Sequence, residues 1–171
     1  DARKYLKSNS DSTGPQRHFL SSTCRHDTDP EMQTELRALN ADIILTQGFI
    51  ASDDNGQTVL LGRGGSDTSA AYFASKLSAK RLEIWTDVPG MFTANPKLIP
   101  SARLLKSLDY AEAQEMATTG AKALHPRCIS PVRDAGIPLK ICSTFAPEME
   151  GTLVQHQSKS PSGVKGISSR K

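Results

Sequence analysis

The stretch Gln57-Thr-Val-Leu-Leu61-Gly-Arg-Gly-Gly-Ser-Asp67-Thr-Ser-Ala-Ala-Tyr72-Phe-Ala-Ser-Lys-Leu77-Ser-Ala79 decides how the chain is read. Its first five residues are apolar enough to form a strand. Gly62, Gly64 and Gly65 then make a turn, and beyond it Ala70, Ala71, Phe73, Ala74 and Leu77 recur at helical spacing. Ser66 is the expected N-cap, and Asp67 lies where the positive end of the helix favours an acid. Strand, glycine turn and helix in this order predict an α/β arrangement.

The flanking sequence extends this pattern. Upstream, Ala41-Asp-Ile-Ile-Leu-Thr-Gln-Gly-Phe-Ile50 is an apolar run closed by turn residues and predicts a buried strand. Asp53-Asp54-Asn55-Gly56 predicts a hairpin turn into the strand at 57–61. A short helix is expected over 31–40, with Asp29 as cap and Pro30 at the first helical position. Residues 1–30 are turn-rich and expected to be loops, with a short strand near 17–21. Downstream, a strand at 81–86 runs into Asp87-Val88-Pro89-Gly90 and a long loop with Pro96 and Pro100. Asp109 and Glu112 have capping-box spacing for a helix over 110–118 that Gly120 ends. A second helix over 126–135, disturbed by Pro131, and strands at 137–142 and 151–154 follow. The predicted fold class is α/β: layers of helix around a mostly parallel sheet, with one hairpin inserted. In such sheets ligands bind at the carboxyl ends of the strands.

Composition narrows the function classes. A chain of 171 residues with 37% hydrophobic and 23% charged residues is that of a globular domain and not of a disordered one. No apolar run approaches the roughly 20 residues of a membrane helix. A net charge of +3 is too small to argue for nucleic acid. Cys24, Cys128 and Cys142 have neither CxxC nor zinc spacing, so they read as reduced thiols of a cytoplasmic protein.

Three segments carry candidate chemistry. In Gly62-Arg63-Gly64-Gly65-Ser66-Asp67 the glycines let backbone N–H groups approach a ligand, the helix start favours an anion, and Arg63 offers a fork for a carboxylate or phosphate. Asp67 can accept from an amine, a lysine or a metal's water. The plainer alternative is a turn with a solvated arginine and a capping acid. Thr86 and Asp87 place a hydroxyl and a carboxylate at a strand end, suited to ribose, base or a metal-bound water; the alternative is ordinary turn chemistry. Lys122, in the link between two helices, can reach a phosphate as a flexible cation, or is a surface lysine. His125, beside Pro126, reads as a structural hydrogen-bonder. No residues are assigned to a metal.

Four strings in order, Thr46-Gln-Gly-Phe-Ile50, Leu61-Gly-Arg-Gly-Gly-Ser-Asp67, Trp85-Thr-Asp-Val-Pro-Gly90 and Met116-Ala-Thr-Thr-Gly-Ala-Lys-Ala-Leu-His-Pro126, resemble the aspartokinase family. The resemblance covers residues 46–154 well and 1–45 more loosely. It implies the amino-acid-kinase fold, a three-layer α/β/α sandwich. It also implies transfer of the γ-phosphoryl group of Mg-ATP to the side-chain carboxylate of L-aspartate, the first step toward lysine, threonine and methionine. By the same resemblance Arg63 grips the substrate carboxylate beside Gly64, Gly65 and Ser66. Asp67 orders the substrate amine or a catalytic lysine. Thr86 and Asp87 contact the nucleotide, and Lys122 and Ala123 lie beside ATP. Phe92 stands where the family often has Tyr and packs near the adenosine. Lys97 stands where Arg is usual and keeps the charge without the fork.

The family's opening Lys-Phe-Gly-Gly string is not found in these residues. The expectation is therefore a partial kinase domain over 1–154 and a linker over 155–171 toward regulatory domains, with a homo-oligomer as the full-length assembly. Neither nucleic acid nor membrane is expected as a partner. Two alternatives accompany this reading: a kinase of another amino acid or of UMP, and a non-catalytic nucleotide-binding module. The expected outcome for these residues alone is little or no phosphoryl transfer, measured by coupled ADP release.

Overall fold

The structure is a computed structural model that describes residues 1–9, 19–121, 123–156 and 164–167. The chain divides into two compact units, Asp1–Ala79 and Lys80–Lys171.

In the first unit, helix α1 (Ala2–Tyr5) leads to Lys7, which bridges in parallel to Ser52. Helix α2 (Pro30–Ala38) is capped by Asp29, whose carboxylate accepts from Met32 N–H at 3.0 Å, with Pro30 in the first turn as expected. The Asp29 carboxyl is held below its usual range by that N–H first, and then by Lys76. Strands β1 (Ile50–Ser52) and β2 (Thr58–Leu60) form the predicted antiparallel hairpin, with Ala51 opposite Val59. Asp53 closes the turn by accepting from the N–H groups of Asn55 and Gln57. Helix α3 (Gly65–Lys76) follows. Leu6, Cys24, Ala51, Val59, Leu61 and Tyr72 form the core of this unit, with Phe73 packed against them.

Four expectations for the first unit need correction. Residues 41–49 are not a strand: they join no ladder, and Ile43 and Leu45 are 86% and 95% exposed. Strand propensity needs a paired neighbour to become a strand, and none of the described residues supplies one here. The N-cap of α3 is Gly64, not Ser66, which lies inside the first turn. The opening residues, expected to be loops, include the short helix α1. Of the short strand expected near 17–21, residues 17 and 18 lie outside the described residues, and 19–20 are helical and not extended.

The second unit carries a four-stranded sheet in the order β3-β5-β6-β4. Strands β3 (Leu82–Thr86) and β5 (Leu139–Ser143) pair in parallel, from Leu82 opposite Leu139 to Thr86 opposite Ser143. Strand β6 (Thr152–Val154) pairs antiparallel to β5 and parallel to β4 (Ser107–Leu108). The sheet is thus mixed and mostly parallel, as the α/β pattern predicts. Strand β4 is too short for its apolar pattern to be seen in the sequence.

Helix α4 (Tyr110–Thr119) has the full capping box: Asp109 accepts from first-turn N–H groups, and Glu112 accepts from Asp109 N–H at 2.9 Å. It ends at Gly120. The second predicted helix is a 3₁₀ turn (Pro126–Cys128) running into α5 (Ile129–Asp134), and α4 packs on both. Tyr110 is buried and donates to Ile137 O at 2.5 Å; burial pushes its phenol up. Residues 164–167 return to this unit. Lys165 pairs with Glu112 at 2.5 Å, and Ile167 N–H donates to Thr93 O at 2.8 Å.

The contrast between buried and exposed leucines is testable. Leu61 is fully buried. Leu61→Ala is therefore expected to lower unfolding free energy by about 2–5 kcal/mol. Leu45 makes no core contact to lose. Leu45→Ser is expected to change the same quantity by at most about 0.5 kcal/mol. Urea denaturation of both variants checks the pair.

Candidate functional site

The glycine turn of the first unit is built from backbone outward. Gly64 is left-handed, with φ 68 and ψ 22. That conformation is open to glycine and costly for most L-residues, and here it turns the chain into α3. No side chain caps the helix, and the first N–H groups of any α-helix lack partners within it. Gly65 N–H is taken by Gly62 O at 2.9 Å, while Thr68 donates to Gly64 O through both its N–H and its hydroxyl. Arg63 and Ser66 are exposed, and Asp67 is half-buried in the first turn. Arg63 makes no ion pair among the described residues. A guanidinium, a helix start and a nearby carboxylate therefore lie within one short segment. That set suits a zwitterion: carboxylate to the arginine and helix start, amine to the aspartate.

In the second unit, Thr86 ends β3 and Asp87 begins the turn beyond it. Thr86 Oγ1 donates to Asp87 Oδ1 at 3.2 Å. Thr144, one residue past β5, donates to Thr86 O through its N–H at 2.8 Å and its hydroxyl at 2.9 Å. The carboxyl ends of two parallel strands thus share one edge, where α/β sheets place their ligands. Asp87 is exposed.

The loop beyond is anchored by Thr152, which is fully buried. Its hydroxyl accepts from Met91 N–H at 2.9 Å and donates to Leu105 O at 2.7 Å. Phe92 is half-buried and bridges to Leu104 through its backbone. Lys97 is exposed in the turn begun by Asn95, whose side chain accepts from Lys97 N–H at 3.0 Å. Ala123 is half-buried between α4 and the 3₁₀ turn, and Lys122 lies outside the described residues.

Among the predicted site residues, the structure groups Arg63, Gly64, Gly65, Ser66 and Asp67 in the first unit, and joins Thr86 to Asp87 in the second. No hydrogen bond or ion pair among the described residues joins Phe92, Lys97 or Ala123 to that second pair. Phe49 entered the sequence reading only within the 46–50 string, and Thr144 and Thr152, which hold the backbone of the second group, and Ser69, which adjoins the first, were not singled out. No short-range pattern marks them, because each acts on a residue at least 20 positions away. Among the described residues no cluster of three His, Cys, Asp or Glu side chains is arranged to hold a metal. No helix among them is long and apolar enough to cross a membrane.

A glycine turn opening a helix and polar groups at the ends of parallel strands belong to a protein of the α/β class. More narrowly, the chain belongs to the amino acid kinase family, which matches residues 5–143. It is 43% identical over 136 residues to the lysine-sensitive aspartokinase 3 of Escherichia coli (strain K12), covering 80% of this chain and 30% of that protein. It is 48% identical over 126 residues to the bifunctional aspartokinase/homoserine dehydrogenase of Haemophilus influenzae, covering 73% and 16% respectively. Among solved structures, E. coli aspartokinase III in complex with aspartate and ADP (R-state) matches with a TM-score of 0.80 at 37% identity, covering 94% of this chain and 35% of that one. The chain therefore spans about a third or less of the length of these relatives.

Thr152→Val keeps the shape of the side chain but leaves Met91 N–H and Leu105 O without their partner. It is expected to cost about 1–3 kcal/mol of stability, and Thr152→Ser distinctly less, in denaturant unfolding of the two variants side by side.

Proposed function

We propose that the protein containing these residues is an aspartate kinase. An oxygen of the L-aspartate side-chain carboxylate attacks the γ-phosphorus of ATP. The bond from that phosphorus to the β–γ bridging oxygen breaks, and 4-phospho-L-aspartate and ADP result. The carrying observation is the 62–67 turn, where an exposed arginine and an acid flank an uncapped helix start. Similarity to a relative whose structure holds both aspartate and ADP supports the same substrates here.

In this reading Arg63 binds the α-carboxylate by its bidentate fork, with the Ser66 amide in the first turn of the helix adding its dipole. Asp67 receives the substrate amine. Thr86, Asp87 and Lys97 contact the nucleotide, Phe92 packs near the adenosine, and Lys122 and Ala123 belong to the segment beside ATP. Phosphoryl transfer depends mainly on positioning and charge neutralisation, so the reading needs no general base.

Magnesium suits this donor set as a cation borne by the nucleotide. Mg²⁺ is usually held by substrate phosphates and one or two carboxylates, and Asp87 is the exposed carboxylate at the strand end. When bound, it neutralises phosphate charge. A homo-oligomeric whole protein in the cytoplasm belongs to the same reading.

Titration calorimetry with L-aspartate and with Mg-ADP tests the assignment. Arg63→Ala is expected to weaken L-aspartate by roughly 10- to 100-fold, the worth of a charge-assisted pair, and to leave Mg-ADP unchanged. Asp87→Ala should do the reverse. Equal affinity for L-aspartate and L-glutamate, or loss of nucleotide binding on removing Arg63, would overturn it.

A further inference from the structure

Phe49 has a left-handed backbone, with φ 73, which is a genuine outlier for a bulky side chain. Such a residue persists only when its surroundings hold it there, and two contacts do so. Its N–H donates to Ser69 Oγ at 3.1 Å, and its carbonyl accepts from Leu61 N–H at 2.9 Å. Its ring lies against Gly65: a Cβ on Gly65 would collide with Phe49 Cδ2 and Cε2. Gly48 is close as well, since a Cβ there would meet Ser69 Oγ at 3.2 Å and Ser66 Cα at 3.5 Å. The backbone at 48–49 is thus pressed across the first turn of α3, over the residues that carry the uncapped helix start.

Ser69 makes the connection. It is buried, at 2% exposure, and its hydroxyl is used in both directions. It donates to Ser66 O at 2.9 Å and accepts from Phe49 N–H. A helical serine commonly bonds back to its own helix. Here a lone pair also catches the N–H of a strained residue from another segment. One hydroxyl therefore fixes Ser66, in the first turn of the helix, relative to Phe49, whose ring covers Gly65.

We propose that Ser69 is a positioning residue for the amino-acid carboxylate site, acting through Phe49 to hold Gly65 and Ser66 in their binding geometry. This rests on the reading of the 62–67 turn as the site for the substrate carboxylate. It predicts that relaxing Phe49 loosens the backbone at Gly65 and the Ser66 amide beside Arg63 without touching the nucleotide residues of the second unit. Ser75 provides the comparison. It lies on the same helix, is buried at 3% exposure, and donates to His26 O at 2.6 Å, far along α3 from the turn.

The test uses the full chain with L-aspartate and Mg-ADP as probes in titration calorimetry. Ser69→Ala removes the acceptor for Phe49 N–H. Gly65→Ala leaves that bond in place but displaces the ring. Each is expected to raise the dissociation constant for L-aspartate by roughly tenfold or more, as small misplacements of a binding group do, with the Mg-ADP constant unchanged. Ser75→Ala is expected to bind L-aspartate as the unsubstituted chain does. Proton NMR supplies a readout independent of ligand: the ring-current shift of Gly65 Hα by Phe49 should collapse in Ser69→Ala. Unchanged L-aspartate affinity in both Ser69→Ala and Gly65→Ala overturns the proposal, as does an equal loss in Ser75→Ala. If the unsubstituted chain fails to bind L-aspartate, the carboxylate reading itself falls and this one with it.

Discussion

The first unit is organised around an absence, the Cβ that Gly65 lacks. Phe49 occupies that space, and its carbonyl accepts from Leu61 N–H one residue beyond β2. The hairpin, the glycine turn and the start of α3 therefore meet at one aromatic ring. A side chain at position 65 would force the ring out and alter the entry to the hairpin, because Phe49 directly precedes β1. The local cost is a phenylalanine held in a left-handed conformation, on the order of 1–3 kcal/mol. The hydrogen bond to the buried Ser69 hydroxyl and the hairpin ladder offset it.

The second unit solves a similar problem with a hydroxyl. The chain leaving β3 must return to the sheet without leaving buried backbone groups unpaired. Thr152 Oγ1 satisfies one donor and one acceptor, at Met91 and Leu105, from within β6. Thr144 does the same service for Thr86 O at the end of β3. Both units thus place candidate binding groups on loops and fix those loops by buried or edge hydroxyls, a use of Ser and Thr that their local helix and strand preferences do not reveal.

Local chemistry was legible in the sequence. Asp29 with Pro30, Asp53 through Gly56, and Asp109 with Glu112 each declared a cap or turn, because every partner lies within four residues. The glycine turn and the Thr86-Asp87 strand end were legible for the same reason, and the order of the motifs pointed to the family. What escaped depended on distant partners. Residues 41–49 carry a strand-like composition, yet a ladder is a property of two segments. Ser66 has the right chemistry for an N-cap, but the left-handed Gly64 begins the helix two residues earlier. The roles of Ser69 and Thr152 exist only once residues 20 and 61 positions away are in place.

The segment at Ile43-Ile44-Leu45 bears on how the molecule behaves in concentrated solution. Three consecutive aliphatic side chains sit on backbone whose donors and acceptors are not committed to any ladder among the described residues. Aggregation-prone apolar runs are commonly broken by a charge or a proline, and these three positions carry neither. Sulfate and other excluded salts strengthen apolar burial, so they favour covering these side chains, whereas dilute, low-salt buffer leaves them hydrated.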